Sequence, residues 1–176
     1  REISPKIQQL SKSEGSEIYT PQLKIASNAS LFKKTTYFKL LPSLKNKIKK
    51  FQPDLVHAHY ISSYGLLAYL SGFRPYVLSV WGSDIMVFPK RSLLHQFLIK
   101  LILKNASQVF ATSKLMVKLV IHDYNQTHCK QIAFGIDTNQ FMPTESTKKS
   151  IPFKYIILKS LTPTYGIDIA IKAFQL

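Results

Sequence analysis

From residue 53 onward the chain alternates short apolar runs with helix-length amphipathic segments, and this rhythm restricts the fold more than any other feature. Strand expectations fall on residues 55–59, 76–80, 108–112 and 131–134, the first opened by Pro53-Asp54. Helix expectations fall on 62–71, closed by Gly72, on 93–104, and on a segment opening at Ser113. In the 93–104 helix, Leu94, Phe97, Leu98, Leu101 and Ile102 are expected on the buried side. Strands and helices at this spacing imply parallel pairing through right-handed crossovers. The expected fold class is α/β, a Rossmann-like doubly wound parallel sheet with helices on both faces.

The pattern changes after Asp137. Residues 138–152 are polar, contain Pro143 and Pro152, and have the composition of a linker. A strand at 155–158 and a helix at 166–174 then start a second α/β unit. Residues 1–50 are mostly polar coil with one expected strand near 23–26, and then a basic helix that ends near Phe51. With 176 residues, one ordinary domain fits and two complete ones do not.

Apolar residues make up 45% and charged residues 19%, a globular composition. No apolar run approaches the roughly eighteen residues of a membrane span. The single cysteine, Cys129, excludes an internal disulfide framework and suits a reducing compartment, the cytosol. There is no secretory signal and no initiator Met, so an earlier segment of the gene product is expected to be missing. The charge is unusual: 24 Lys and Arg against 9 Asp and Glu, net +15. Such a field attracts polyanions. Lys45, Lys47, Lys49 and Lys50 either solvate a helix or face an anionic membrane, with Phe38, Leu40, Leu41, Leu44 and Ile48 as an apolar stripe beside them. No nucleic-acid module with interleaved aromatics accompanies them, so nucleic acid is not an expected partner.

In an open parallel sheet, ligands bind at the carboxyl ends of the strands. Those ends carry His59-Tyr60 with Ser62-Ser63-Tyr64-Gly65, then Trp81-Gly82-Ser83-Asp84, Thr112-Ser113, and Phe134-Gly135-Ile136-Asp137. Polar, aromatic and glycine residues gather there while the strand bodies stay apolar, which marks a cleft. Gly82 would let the backbone approach a ligand, and Gly135 would allow a turn at positive φ; ordinary turn chemistry explains both equally well. Asp84 can accept hydrogen bonds from ligand hydroxyls or cap the next segment. His57 and His59 lack further ligands for a metal site, and His57 is expected inside the sheet layer with only His59 at the cleft mouth. A nucleophile elbow, a Walker-type phosphate loop and a dinucleotide fingerprint are all missing, which argues against hydrolase, kinase and dehydrogenase chemistry.

The stretch PDLVHAHYISSYGLLAYLSGFRPYVLSVWGSDI, followed by FGIDTNQFMP, resembles the N-terminal lobe of family-four retaining glycosyltransferases, which have the two-lobed GT-B architecture. LKSLTPTYGIDIAIKAF resembles the start of their C-terminal lobe. The resemblance spans about residues 40 to 176. It implies transfer of a sugar from a nucleotide diphosphate sugar to a glycan or lipid-linked acceptor with retention, without metal or other cofactor, in cell-surface polysaccharide synthesis. The implied place is the cytoplasm, extending to the inner face of the membrane. On this resemblance residues 1–137 are the acceptor-side lobe without its first strand and glycine-rich loop. Residues 138–152 link it to the first βα unit, 153–176, of a truncated donor-binding lobe.

Trp81 stands where the family often has a sugar-contacting His, and Asp84 matches the acidic residue that ends the motif; these two are the expected catalytic pair. His59, Tyr60, Ser63, Gly82, Ser83, Gly135 and Asp137 are expected to bind substrate. Ser160 and Tyr165 align with the family's Arg and Lys near the diphosphate, so Lys159 with Ser160 is expected to take that role. The family's paired glutamates would follow Leu176, so the fragment alone is expected to be inactive. The competing expectations are a non-enzymatic basic module, a degenerate lobe that docks on membrane or a partner, and an epimerase of related two-lobed fold.

Overall fold

The computed structural model describes residues 35–142 and 155–174. The chain divides into two compact units, Arg1–Phe134 and Gly135–Leu176.

In the first unit a 3-10 turn, Thr35–Leu40, leads into helix α1 (Leu41–Phe51). Strand β1 (Val56–His59) follows, then a π turn (Ile61–Gly65) running into α2 (Leu66–Ser71). Gly72 ends α2 in the left-handed conformation, φ 79°, as the sequence leads one to expect. Next come β2 (Tyr76–Val80), the short α3 (Ser83–Met86), a 3-10 turn (Phe88–Arg91) and α4 (Leu93–Lys104). Strand β3 (Gln108–Ala111), helix α5 (Lys114–Tyr124) and β4 (Cys129–Gln131) complete the unit. Both long connecting helices start at a serine cap. Ser92 Oγ accepts from the His95 N–H, and Ser113 Oγ from the Met116 N–H.

The four strands form one parallel sheet in the order β1-β2-β3-β4. The register sets Ala58 beside Leu78, Leu78 beside Val109, and Val109 beside Cys129. Consecutive parallel strands joined by crossovers of one hand place all their connecting helices on one face. That face holds the core: Ala58, Tyr76, Leu78, Val80, Val109 and Ala111 pack against Ile61, Ile99, Ile102, Leu103 and Val120. Each large aliphatic side chain buried this way contributes about 1.5–3 kcal/mol. Tyr76 satisfies its buried hydroxyl by donating to the Ile102 carbonyl at 2.6 Å, and burial pushes that phenol up to about 12.

Helices were expected on both faces; the helices joining these strands share one. Among the described residues the other face carries His57, His59, Val77, Ser79, Gln108, Phe110 and Lys130, of which Val77 alone is buried. His57 is therefore exposed rather than enclosed in the sheet layer.

Three further expectations shift. Strand β4 lies at Cys129–Gln131, ahead of the apolar residues 132–134. Its ladder ends where the Ile132 N–H donates to the Ala111 carbonyl, because β3 offers no backbone beyond that point. In α4 the buried stripe is Ile99, Ile102 and Leu103, whereas Leu94 and Phe97 point outward. In α1 no residue is fully buried; Leu41, Leu44 and Ile48 are half-buried, the lysines Lys45, Lys49 and Lys50 are exposed, and the helix packs beside α2.

In the second unit a 3-10 turn (Pro163–Tyr165) precedes α6 (Ile167–Phe174), with Gly166 at φ 58° between them. Residues 155–158, expected as a strand, form none. The expected strand at 23–26 and most of the linker 138–152 lie outside the described residues.

Candidate functional site at the carboxyl edge of the sheet

The strand ends of β1 and β2 are held together by one carboxylate. Asp84 is fully buried, and its oxygens accept backbone N–H groups from Gly82 at 2.8 Å, Ile61 at 3.0 Å and Trp81 at 3.1 Å. Two of these donors belong to the loop after β2 and one to the turn after β1. A carboxylate fits this place because it is acceptor-only and can serve several donors at once. Its sequence position, three residues beyond Trp81, lets the loop fold back on it. The oxygens are directed at backbone, so Asp84 shapes the edge rather than presenting a free group to solvent.

The loop it shapes depends on glycine. Gly82 lies at φ 139°, ψ −87°, which an L side chain rarely adopts, and nothing crowds the space a Cβ would take. Glycine is needed there for its backbone conformation. Across the edge Tyr60 is at φ 75°, an uncommon conformation for a non-glycine residue. It is secured on both sides: its N–H donates to the Ser79 carbonyl, and its hydroxyl shares a 2.9 Å hydrogen bond with Ser83 Oγ. Gly65 closes the π turn so tightly that a Cβ would come within 3.1 Å of Leu78 and 3.3 Å of Ile61. Ser63 sits half-buried inside this turn, its carbonyl accepting from Leu66.

Around this frame runs a line of rings. Phe110 meets His57 edge-on at 6.0 Å, His57 lies 4.1 Å from His59, and His59 meets Trp81 at 5.7 Å. Trp81 in turn meets Phe134 at 5.4 Å with an interplanar angle of 89°. Trp81 and Phe134 are 47% and 68% exposed, so their faces are open to a ligand. His57 Nε2 shares a 2.8 Å hydrogen bond with Ser79 Oγ. Desolvation, then the neighbouring His59, holds His57 below the ordinary histidine value. Among the described residues no three His, Cys, Asp or Glu side chains group to hold a metal ion.

Of the expected site residues, His59, Tyr60, Trp81, Gly82, Ser83 and Asp84 are therefore brought together, with Ser63 in the adjoining turn. Ser79, Phe110 and Phe134 also belong to this edge. The two-residue period that aligns His57 with His59 also predicts which β2 and β3 side chains share their face. Phe134 is among the strand-end residues the sequence points to, through the expected strand 131–134, although no substrate-binding role is expected of it there.

The second unit places its residues separately. Asp137 caps a turn, Oδ1 accepting from the N–H groups of Asn139 and Gln140. Gly135 does not take the positive φ anticipated for it. The Lys159 ammonium stands 5.1 Å above the Tyr165 ring, and the Ser160 carbonyl accepts from Thr162. Lys159 and Ser160 are both exposed.

The family model described as glycosyl transferase 4-like matches residues 4–113, more than half of the chain. The chain belongs to the glycosyl transferase 4-like family. Among curated proteins none matches it. The matched span takes in β1, β2, β3 and both loops that Asp84 joins. The ring edge of this glycosyl transferase 4-like chain, apart from Phe134, thus falls in the part that carries the family likeness. A sugar donor and an acceptor are the substrates that membership implies in general terms.

Proposed function

We propose that the carboxyl edge of the first unit binds the acceptor of a retaining, GT-B-type glycosyl transfer from a nucleotide diphosphate sugar. The observation that carries this reading is the exposed ring line His59–Trp81–Phe134, whose central Trp81 stands on the loop that the buried Asp84 holds. Flat apolar faces with polar rims suit pyranose rings, whose axial C–H groups stack while their hydroxyls seek hydrogen bonds. Tyr60 and Ser83 supply hydroxyls beside the rings. Asp84 acts as a positioning residue: it fixes the backbone from which Trp81 and Ser83 project. In the second unit Lys159 and Ser160 meet the donor's diphosphate, Gly135 and Asp137 meet substrate, and no metal is needed. The transition state is oxocarbenium-like, so orientation and fixed charge carry the rate enhancement. The acceptor is a glycan or a lipid-linked glycan of cell-surface polysaccharide synthesis, reached from the cytoplasmic side at an anionic membrane. The large positive charge of the chain supports that placement.

Trp81 is the single tryptophan, so its fluorescence reports on this edge alone. Titration with oligosaccharide acceptors should shift or quench that emission saturably, and His59→Ala or Phe134→Ala should weaken binding severalfold. Emission that no oligosaccharide or lipid-linked glycan alters would remove the acceptor assignment. Transfer itself is read with the full-length protein. Labelled nucleotide sugars should give products of unchanged anomeric configuration, also in the presence of a chelator.

A further inference from the structure

Helix α4 is apolar on two sides. All its residues except His95, Gln96, Lys100 and Lys104 are hydrophobic, and one side is fully used by the core through Ile99, Ile102 and Leu103. The opposite side holds Leu93, Leu94 and Phe97, which are 84%, 65% and 61% exposed. Lys100 and Lys104 follow Leu93 and Phe97 along that same side at helical spacing. The preceding turn adds exposed Val87, Lys90 and Arg91. A helix this hydrophobic, with one face turned outward, requires a second apolar environment.

The charge around it selects which environment. The charged side chains of α4 and the turn before it are Lys90, Arg91, Lys100 and Lys104, all basic and exposed, while one carboxylate, Asp123 in α5, lines a hollow together with Lys90, Leu93 and Gln96. Asp84 is buried and directed at backbone. Two copies meeting through this face would set lysine against lysine. A nucleic acid would leave the leucines and phenylalanine in water. An anionic bilayer satisfies both halves: the apolar side chains enter the headgroup–acyl boundary while the lysines extend to the phosphates.

We propose that the outward face of α4, with the turn before it, is the surface on which this protein rests on anionic lipid. This deepens the membrane placement given above and rests on that part of the reading, not on the sugar chemistry. The basic helix α1 then contributes long-range attraction only, because its stripe Leu41, Leu44 and Ile48 is turned partly inward. In outline, α1 attracts the surface and α4 enters it.

Co-sedimentation of the full chain with phosphatidylcholine vesicles, with and without phosphatidylglycerol, tests this. Binding is expected only with phosphatidylglycerol and should fall as salt rises. Leu94→Gln combined with Phe97→Gln should lower partitioning roughly tenfold or more, since both side chains lose an apolar environment. Replacing Lys45, Lys49 and Lys50 by Gln should lower it less. Phe97→Trp in a Trp81→Phe background should show a blue-shifted emission on vesicle addition. The exposed positions keep these variants foldable, which circular dichroism checks. Wild-type binding by the Leu94→Gln/Phe97→Gln variant, with loss in the α1 variant, overturns the α4 assignment and leaves the membrane placement standing. No binding by the unaltered chain overturns both. Self-association that Leu94→Gln/Phe97→Gln abolishes makes a second copy the occupant and overturns the lipid assignment. The Trp81 titration with glycans is indifferent to all of these outcomes and judges the acceptor reading separately.

Discussion

Two segments of this chain, Tyr76–Val80 and residues 155–158, start with tyrosine, continue as apolar β-favouring runs and lead toward a helix. In the first, Tyr76, Leu78 and Val80 are fully buried, and the backbone pairs with β1 on one side and β3 on the other. In the second, Tyr155, Ile156, Ile157 and Leu158 are 68%, 80%, 45% and 87% exposed and form no strand. Local preference is alike in the two. Among the described residues what differs is the supply of strand partners: β2 has two parallel partners and a layer of helices, while residues 155–158 pair with no strand and Tyr155 meets the Phe174 ring at 4.7 Å. A strand is a property of a sheet more than of a sequence run.

The contrast predicts unequal costs for equal truncations, and this is the largest effect expected. Leu78→Ala should destabilise the chain by about 2–5 kcal/mol, read from the denaturant midpoint, because the cavity lies in a packed layer. Ile157→Ala should change it by no more than about 0.5 kcal/mol. Similar losses at the two positions would mean that the second unit is as well packed as the first, and the contrast would fail.

A second comparison concerns two aspartates in turns. Asp84→Ala strips the acceptor from three backbone N–H groups beneath the edge and should cost about 1–3 kcal/mol. Asp137→Ala removes two exposed turn bonds and should cost about 0.5 kcal/mol. In a transfer-competent protein Asp84→Ala should also lower turnover through displaced Trp81 and Ser83. Asp84→Ala that unfolds like the parent would show that the two strand ends are held by something other than this carboxylate.

Much of the first unit was legible in the residues themselves. The periods of two and 3.6 located β1, β2 and α4 to within a residue, and the rule for ligands at strand ends led to His59, Tyr60 and the 81–84 loop. What stayed hidden depended on partners. Residues 131–134 look like a strand, but β3 ends at Ala111 and the ladder stops with it. The side of α4 that faces the core could not be read from periodicity, because the helix is apolar nearly all round and either side would serve. The place of His57 followed from the same ignorance: which sheet face the connecting helices cover is set by strand order, and the alternating pattern is silent about that. The choice of backbone over ligand as the partner of Asp84 required the loop to be seen folded.

Glycines sharpen the comparison at a smaller scale. Gly82→Ala forces an L side chain into φ 139° and should cost about 1–3 kcal/mol, with altered Trp81 emission as the loop adjusts. Gly135→Ala meets neither a positive φ nor a neighbour and should be neutral, or stabilising by about 0.4–1 kcal/mol. Equal costs for the two would deny that the loop after β2 is the more tightly specified one.

The smallest effect expected is a pH dependence that belongs to the first unit alone, since the described residues of the second contain no histidine. His57 has its folded value lowered from 6.5, by desolvation first and by His59 second. The unfolded chain therefore binds its proton at a higher pH than the folded one does. Stability from this group is complete above about pH 6.5 and is lost as the pH falls through the lowered folded value. The sign is thus a decline on acidification, and His57→Gln should flatten it, with Gln placed to keep a hydrogen bond to Ser79. Denaturant midpoints measured on either side of pH 6.5, for the parent and the variant, decide the matter. The slopes should differ while the midpoints above pH 6.5 stay close. Because the ring is exposed, the difference will be small, and its presence matters more than its size. A parent whose stability, relative to the His57→Gln variant, rises on acidification would mean that His57 gains a proton on folding. The ring line from Phe110 to Trp81 would then hold a charged imidazolium, a different surface to offer a sugar.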